Sequence, residues 1–121
     1  MANEVRSYRD LVVWQKAVEM VTEIYRFSQT FPKEEMFGLI SQIRRAAVSI
    51  PSNIAEGHGR LLRKEYSYFW GNARGSLAEL ETQVTIARNL GFLEEGKMNR
   101  VLEEAGELGR ILNGLLASLR K

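Results

Sequence analysis

The chain has no cysteine. Disulfides, thiolate metal sites and thiol catalysis are therefore excluded. It has one histidine, His58, and one aspartate, Asp10. A structural zinc site within one chain needs more nitrogen or sulfur ligands than this. A Ser-His-Asp triad would have to take its acid from Asp10, at the start of the first helical pattern, and nothing supports that arrangement. Only two prolines occur, Pro32 and Pro51, which argues against disorder and against a turn-rich all-β fold. Neither GxxxxGK[ST] nor a strand-to-helix GxGxxG is present. The E-x-x-H motif of di-iron bundles is missing too, since His58 follows Glu56 by only two residues. No cofactor, no metal and no catalytic activity are expected. Apolar runs stay short of membrane-spanning length. The opening MANEVRSYRD is polar and lacks a signal-peptide core, so a cytoplasmic location is expected.

What is present suits one compact domain. The 121 residues are 45% apolar and 26% charged, with a net charge of +2. One core over residues 1–121 fits that length. The positive excess is too small to announce a nucleic-acid binder by itself.

Apolar residues recur at helical spacing in four runs. In the first, Leu11, Trp14, Val18, Val21, Tyr25 and Ser28 make a stripe that Val13, Ala17 and Ile24 widen. Asp10 is placed to cap it, and it should end near Phe31-Pro32. The second starts at Pro32, with Glu34 and Glu35 at its positive end. Met36, Ile40, Ile43, Ala47, Ile50 and Ile54 keep one register through Pro51. Unbroken phase on both sides predicts one helix kinked at Pro51, stopped by Gly57 and Gly59. The third run places Trp70, Ala73, Leu77, Leu80, Val84 and Ala87 on one face and ends at a left-handed Gly91. The fourth carries Val101, Ala105, Leu108, Leu112, Leu115 and Leu119. Four long helices with short connections predict an all-α, antiparallel up-down-up-down four-helix bundle. Gly71 and Gly75 lie inside the third run. They fit either close helix approach or tolerated exposure.

The second run has a polar stripe as well. Gln42, Arg45, Ser49, Ser52 and Glu56 repeat about 100° round from the isoleucines, with Asn53 between. Asn72, Ser76, Glu79 and Gln83 form a similar set on the third. These side chains suit hydrogen bonding across a helix or subunit contact, and a plain solvent face also fits. Arg45 and Glu56 lie roughly 16 Å apart along the helix, so each needs another partner. Glu79 is the candidate for Arg45, and a neighbouring helix end for Glu56.

Basic residues collect where the second and third runs meet: Arg60, Arg63 and Lys64. Arg44 lies earlier on the second run. These four are the candidate phosphate contacts, and an ordinary solvated surface also fits them. In a symmetric ring such a cluster repeats in every subunit and its field adds. Tyr66, Tyr68, Phe69 and Trp70 follow directly, and some of them must be core. His58, between two glycines at a helix end, reads as a cap-region residue.

Three blocks carry a resemblance: DLVVWQKAVEM, FPKEEMFGLISQIRRAAVSIPSNIAEG and GSLAELETQVTIARNLGFL. They resemble the bacterial four-helix bundle proteins encoded in intervening sequences of large-subunit ribosomal RNA genes. The likeness runs from about Tyr8 to Leu119. It extends more distantly to the accessory variability determinant of diversity-generating retroelements. That resemblance implies a homopentamer with a basic surface for RNA or DNA, and a reverse transcriptase-like protein as a possible partner. The middle block's pattern falls on Gln42, Arg44, Arg45, Ser49, Pro51, Asn53, Glu56 and Gly57, and a second element on Ser76 and Glu79. It brings no catalytic residue. Two functions follow: an oligomeric nucleic-acid binder, or a scaffold docking a partner protein.

Overall fold

The structure, a computed structural model, describes residues 6–60 and 62–119, with Arg63 described in its backbone only. The described residues form four α-helices: α1 (Val12–Ser28), α2 (Leu39–His58), α3 (Arg63–Asn89) and α4 (Glu95–Ser118). Two short 3-10 turns, Tyr8–Asp10 and Lys33–Glu35, precede α1 and α2. No strand occurs among the described residues. No described helix is long and apolar enough to cross a membrane.

Contacts between neighbours run in opposite chain sense. Ser49 meets Ser76 while Ile54 meets Trp70, so α2 and α3 are antiparallel. Arg74 reaches Asn113 and Arg88 reaches Glu95, which sets α4 antiparallel to α3. Lys16 meets Glu107, and Phe27 shares a small hollow with Lys97 and Val101, which does the same for α1 and α4. Arg44 binds Ser28, and Tyr8 lines a hollow with Ser52 and Ala55, closing the ring between α1 and α2. The α2–α3 contact is the most extensive.

The core follows the helical period. Ile40, Ile43, Ala47, Ile50 and Ile54 are buried along α2, and all six predicted stripe residues of α3 are buried. Val101, Ala105, Leu108 and Leu112 complete it from α4. On α1 the buried line is Val13, Ala17, Met20, Ile24 and Phe27, one step round from the stripe centred on Trp14 and Val21. A wide apolar face can bury either edge, and packing against two neighbouring helices selects this one.

Helix ends depart from the sequence reading in three places. Asp10 does not cap α1. Its carboxylate instead accepts from the Arg6 and Ser7 backbone N–H groups in a capping box with Ser7 around the first 3-10 turn. α2 begins at Leu39 rather than Pro32. Residues 32–38 instead form a 3-10 turn and its exit, and Glu35 accepts a hydrogen bond from the Leu39 N–H at 3.1 Å. Met36 is consequently exposed rather than core. Gly57 does not end α2, which continues to His58 with Gly59 in a right-handed cap conformation. Gly57 is buried against α3, where an added Cβ would lie 2.7 Å from the Trp70 ring.

Two local expectations hold: the second run is one helix rather than two, and Gly91 is left-handed. α2 is one continuous helix across Pro51. Pro51 offers no N–H to the Ala47 carbonyl, and the burial of Ile50 and Ile54 on either side offsets that loss. Gly91 has φ of 81°. Its N–H reaches the Arg88 carbonyl and the Phe92 N–H reaches Ala87, the paired bonds of a Schellman stop.

Candidate functional site

The polar residues of α2 and α3 meet along their shared groove. Ser76 Oγ donates to Ser49 Oγ at 2.8 Å. Asn53 Nδ2 donates to the Ser49 carbonyl at 2.8 Å and to its hydroxyl at 2.9 Å. Three of the predicted contact residues thus form one network within the chain. Its hydroxyls are satisfied where Ser76 is buried. Above this floor lies an open hollow of about 360 Å³ lined by Gln42, Arg45, Ser49, Ser76, Glu79 and Gln83. Arg45 and Glu79 do not pair within the chain. Both line the hollow, yet no ion pair joins them among the described residues. The Gln83 Oε1 is shut off from solvent without a donor. Glu56 belongs elsewhere, since it pairs with Arg60 at the end of α2.

A second hollow of about 550 Å³ adjoins the first, with Arg45 and Ser49 lining both. Its apolar lining is Tyr25, Met36, Phe37 and Val48. Phe37 is 96% exposed. Ile86 and Leu90, also exposed, continue the line of Glu79 and Gln83 along α3. Exposed large apolar side chains thus stand beside the polar lining of the first hollow. Phe37 carries no signal in the sequence, because Met36 and its neighbours read as the start of a helix.

The basic candidates divide into two places. Arg44 is a strut between α1 and α2. Its Nε donates to Ser28 Oγ at 2.9 Å, and its guanidinium lies 4.6 Å from the Tyr25 ring centre. Sixteen residues of helical rise, about 24 Å, separate it from Arg60. Arg60 sits at the far end of the bundle, ion-paired to Glu56 and stacked 4.7 Å from the Phe69 ring centre. Lys64 is exposed in the first turn of α3. The Arg63 side chain lies outside the described residues.

Two residues that the sequence did not single out join this end. Tyr8 and Arg60 line a common hollow of about 470 Å³ with Ser52, Ala55, Glu56 and Gly59. Arg9 lies over both the Tyr8 and Trp14 rings, at 5.5 and 5.8 Å. The aromatic run of α3 divides by helical phase. Trp70 is core and donates to the Ile54 carbonyl at 3.2 Å. Tyr66 packs against the core, Phe69 lies under Arg60, and Tyr68 is 63% exposed. No group of three or more acidic or histidine side chains placed to hold a metal occurs among the described residues.

No curated relative matches the chain significantly. A solved structure of similar fold is a protein described as of unknown function, from the S23 ribosomal protein family of Bacteroides thetaiotaomicron. It superposes with a TM-score of 0.81 at 20% identity, covering 88% of this chain and 96% of that one. Residues 9–114 match the 23S rRNA-intervening sequence protein family, and the chain belongs to that family.

Proposed function

We propose that the protein is a non-enzymatic, cytoplasmic nucleic-acid-binding protein that works as a homo-oligomer, with RNA as its target. The observation that carries this reading is the gathering of Arg9, Arg60 and Lys64 with Tyr8 and Phe69 at one end of the bundle. Guanidinium and ammonium groups neutralise phosphates, and their effect multiplies when copies place the same end on one rim. The family's link to ribosomal RNA genes favours RNA over DNA. The α2–α3 face, with Gln42, Arg45, Glu79 and the Phe37 hollow, is the surface through which copies associate. The resemblance to a pentameric relative supports a ring of five.

The test is a fluorescence-anisotropy titration of a structured RNA and a duplex DNA at low and physiological salt. Affinity should fall steeply with salt, and joint replacement of Arg60 and Lys64 by Ala should reduce the slope by about two. Flat titrations at both salts would remove the reading. The exposed Phe37 hollow supports a second reading, a scaffold docking a partner protein such as a reverse transcriptase-like enzyme. That reading expects no nucleic-acid affinity and loss of the partner on changing Phe37.

A further inference from the structure

At the Arg60 end, cations and aromatic rings alternate. Arg9 lies on Tyr8, the hollow shared by Tyr8 and Arg60 follows, Arg60 lies on Phe69, and Phe69 meets Tyr68 edge to face at 5.0 Å between ring centres. Lys64 and Tyr68 stand four residues apart on α3, which makes them surface neighbours. Both are exposed. A duplex needs only the charges of such a surface, because its base faces are covered by their own stack. A single strand offers phosphates and uncovered base faces together, and a groove of cations with exposed rings recognises both. The Glu56 carboxylate, the acid lining this hollow, is ion-paired with Arg60 through a single guanidinium nitrogen, Nη2.

We propose that this end of the bundle selects unpaired nucleotides, with Tyr68 as the stacking platform for a base and Lys64 and Arg60 holding the adjoining phosphates. The inference rests on the nucleic-acid reading above and specifies its target as single-stranded. Phe69 is not the platform, since Arg60 already covers its ring. Trp70 is not either, being buried against α2.

The experiment compares the full chain and its variants in anisotropy titrations at physiological salt. The probes are a mixed-sequence single-stranded RNA and the same strand annealed to its complement. The parent should prefer the single strand. Tyr68→Ala should weaken single-strand binding by about fivefold or more and leave duplex binding unchanged. Tyr68→Phe keeps the ring and should retain the affinity. Lys64→Ala should weaken both probes. Tyr68 is exposed, so the thermal midpoint of each Tyr68 variant should match the parent and separate a binding loss from misfolding. Unchanged single-strand binding by Tyr68→Ala, with Lys64→Ala still weakening both, would overturn the stacking inference and leave the phosphate-binding reading standing. Absence of binding to both probes by the parent would overturn the two together.

Discussion

A Cβ on Gly57 would lie 2.7 Å from the Trp70 indole and 3.2 Å from Phe69 Cβ. α2 and α3 therefore come close enough at this point that only hydrogen fits. The Trp70 Nε1 donates to the Ile54 carbonyl one turn away, so the ring has little freedom to retreat. Gly57→Ala should destabilise the protein by about 1–3 kcal/mol, the range for overpacking a filled site. Urea denaturation checks this, and an unchanged midpoint would show that the indole yields.

Gly75 gives the opposite expectation. It lies inside α3 with nothing within 4 Å of where a Cβ would stand. Gly75→Ala should raise stability by about 0.5–1 kcal/mol through the lower entropy of the unfolded chain and better helix propensity. The same denaturation measurement reads it. A loss would mean that the small size of Gly75 serves a contact outside the single chain.

Ser49 and Ser76 couple the two central helices. Ser49→Ala removes the acceptor of the Ser76 hydroxyl and one of the two acceptors of Asn53. About 1 kcal/mol of destabilisation is expected. Ser76→Ala in the Ser49→Ala background should cost less than it does alone, because the orphaned hydroxyl goes with it. A double-mutant cycle with strictly additive effects would deny the bond.

Phe37→Glu places a charge in the adjoining apolar hollow, where the ring is 96% exposed in the single chain. Folding of the chain should be unaffected, with surface changes staying within about 0.5 kcal/mol. With copies associating through this face as proposed, sedimentation should shift toward the monomer. A parent and variant of equal sedimenting mass would take Phe37 out of the proposed assembly surface.

Lys16 and Glu107 join α1 to α4, with Nζ donating to Oε1 at 2.6 Å. The hydrogen bond to Lys16, and then its charge, hold the Glu107 carboxyl below the usual carboxylate range. The same bond and charge in reverse raise the Lys16 ammonium. The Glu107 contribution is full above the ordinary carboxylate range and is lost as pH falls through its depressed folded value. The Lys16 contribution is full below the ordinary lysine range and is lost as pH rises through its raised folded value. Both groups are exposed, so the effect is modest. Glu107→Gln should flatten the acid-side fall of the thermal midpoint, measured from neutral pH downward. An acid-side slope identical to the parent's would remove the pair from the account.

Periodicity alone located the fold. Isoleucines on α2 and the Trp70-to-Ala87 line on α3 alternate by three and four, and burying such stripes against each other requires a bundle. Gly91 was legible for the same local reason, since a left-handed stop needs a residue without Cβ. The polar partners Ser49, Asn53 and Ser76 could be picked out as short side chains on facing stripes. Arg45 and Glu79 could be placed near one another, but sequence spacing says nothing of whether two long side chains meet.

The tertiary structure decided what depends on distance between elements remote in sequence. It put the α1 core on Val13, Ala17 and Ile24, because two neighbouring helices, not the local pattern, choose which edge of a broad stripe is covered. It turned Gly57 from a stop into a point of contact, and exposed Met36 and Phe37 by starting α2 at Leu39. It separated Arg44 from Arg60 and brought Arg9 and Tyr8 to the latter, joining residues some fifty positions apart in sequence. Local spacing fixes helix phase because it acts through one turn of backbone. Which charges share an end of the bundle is set by how the four helices close on their common core.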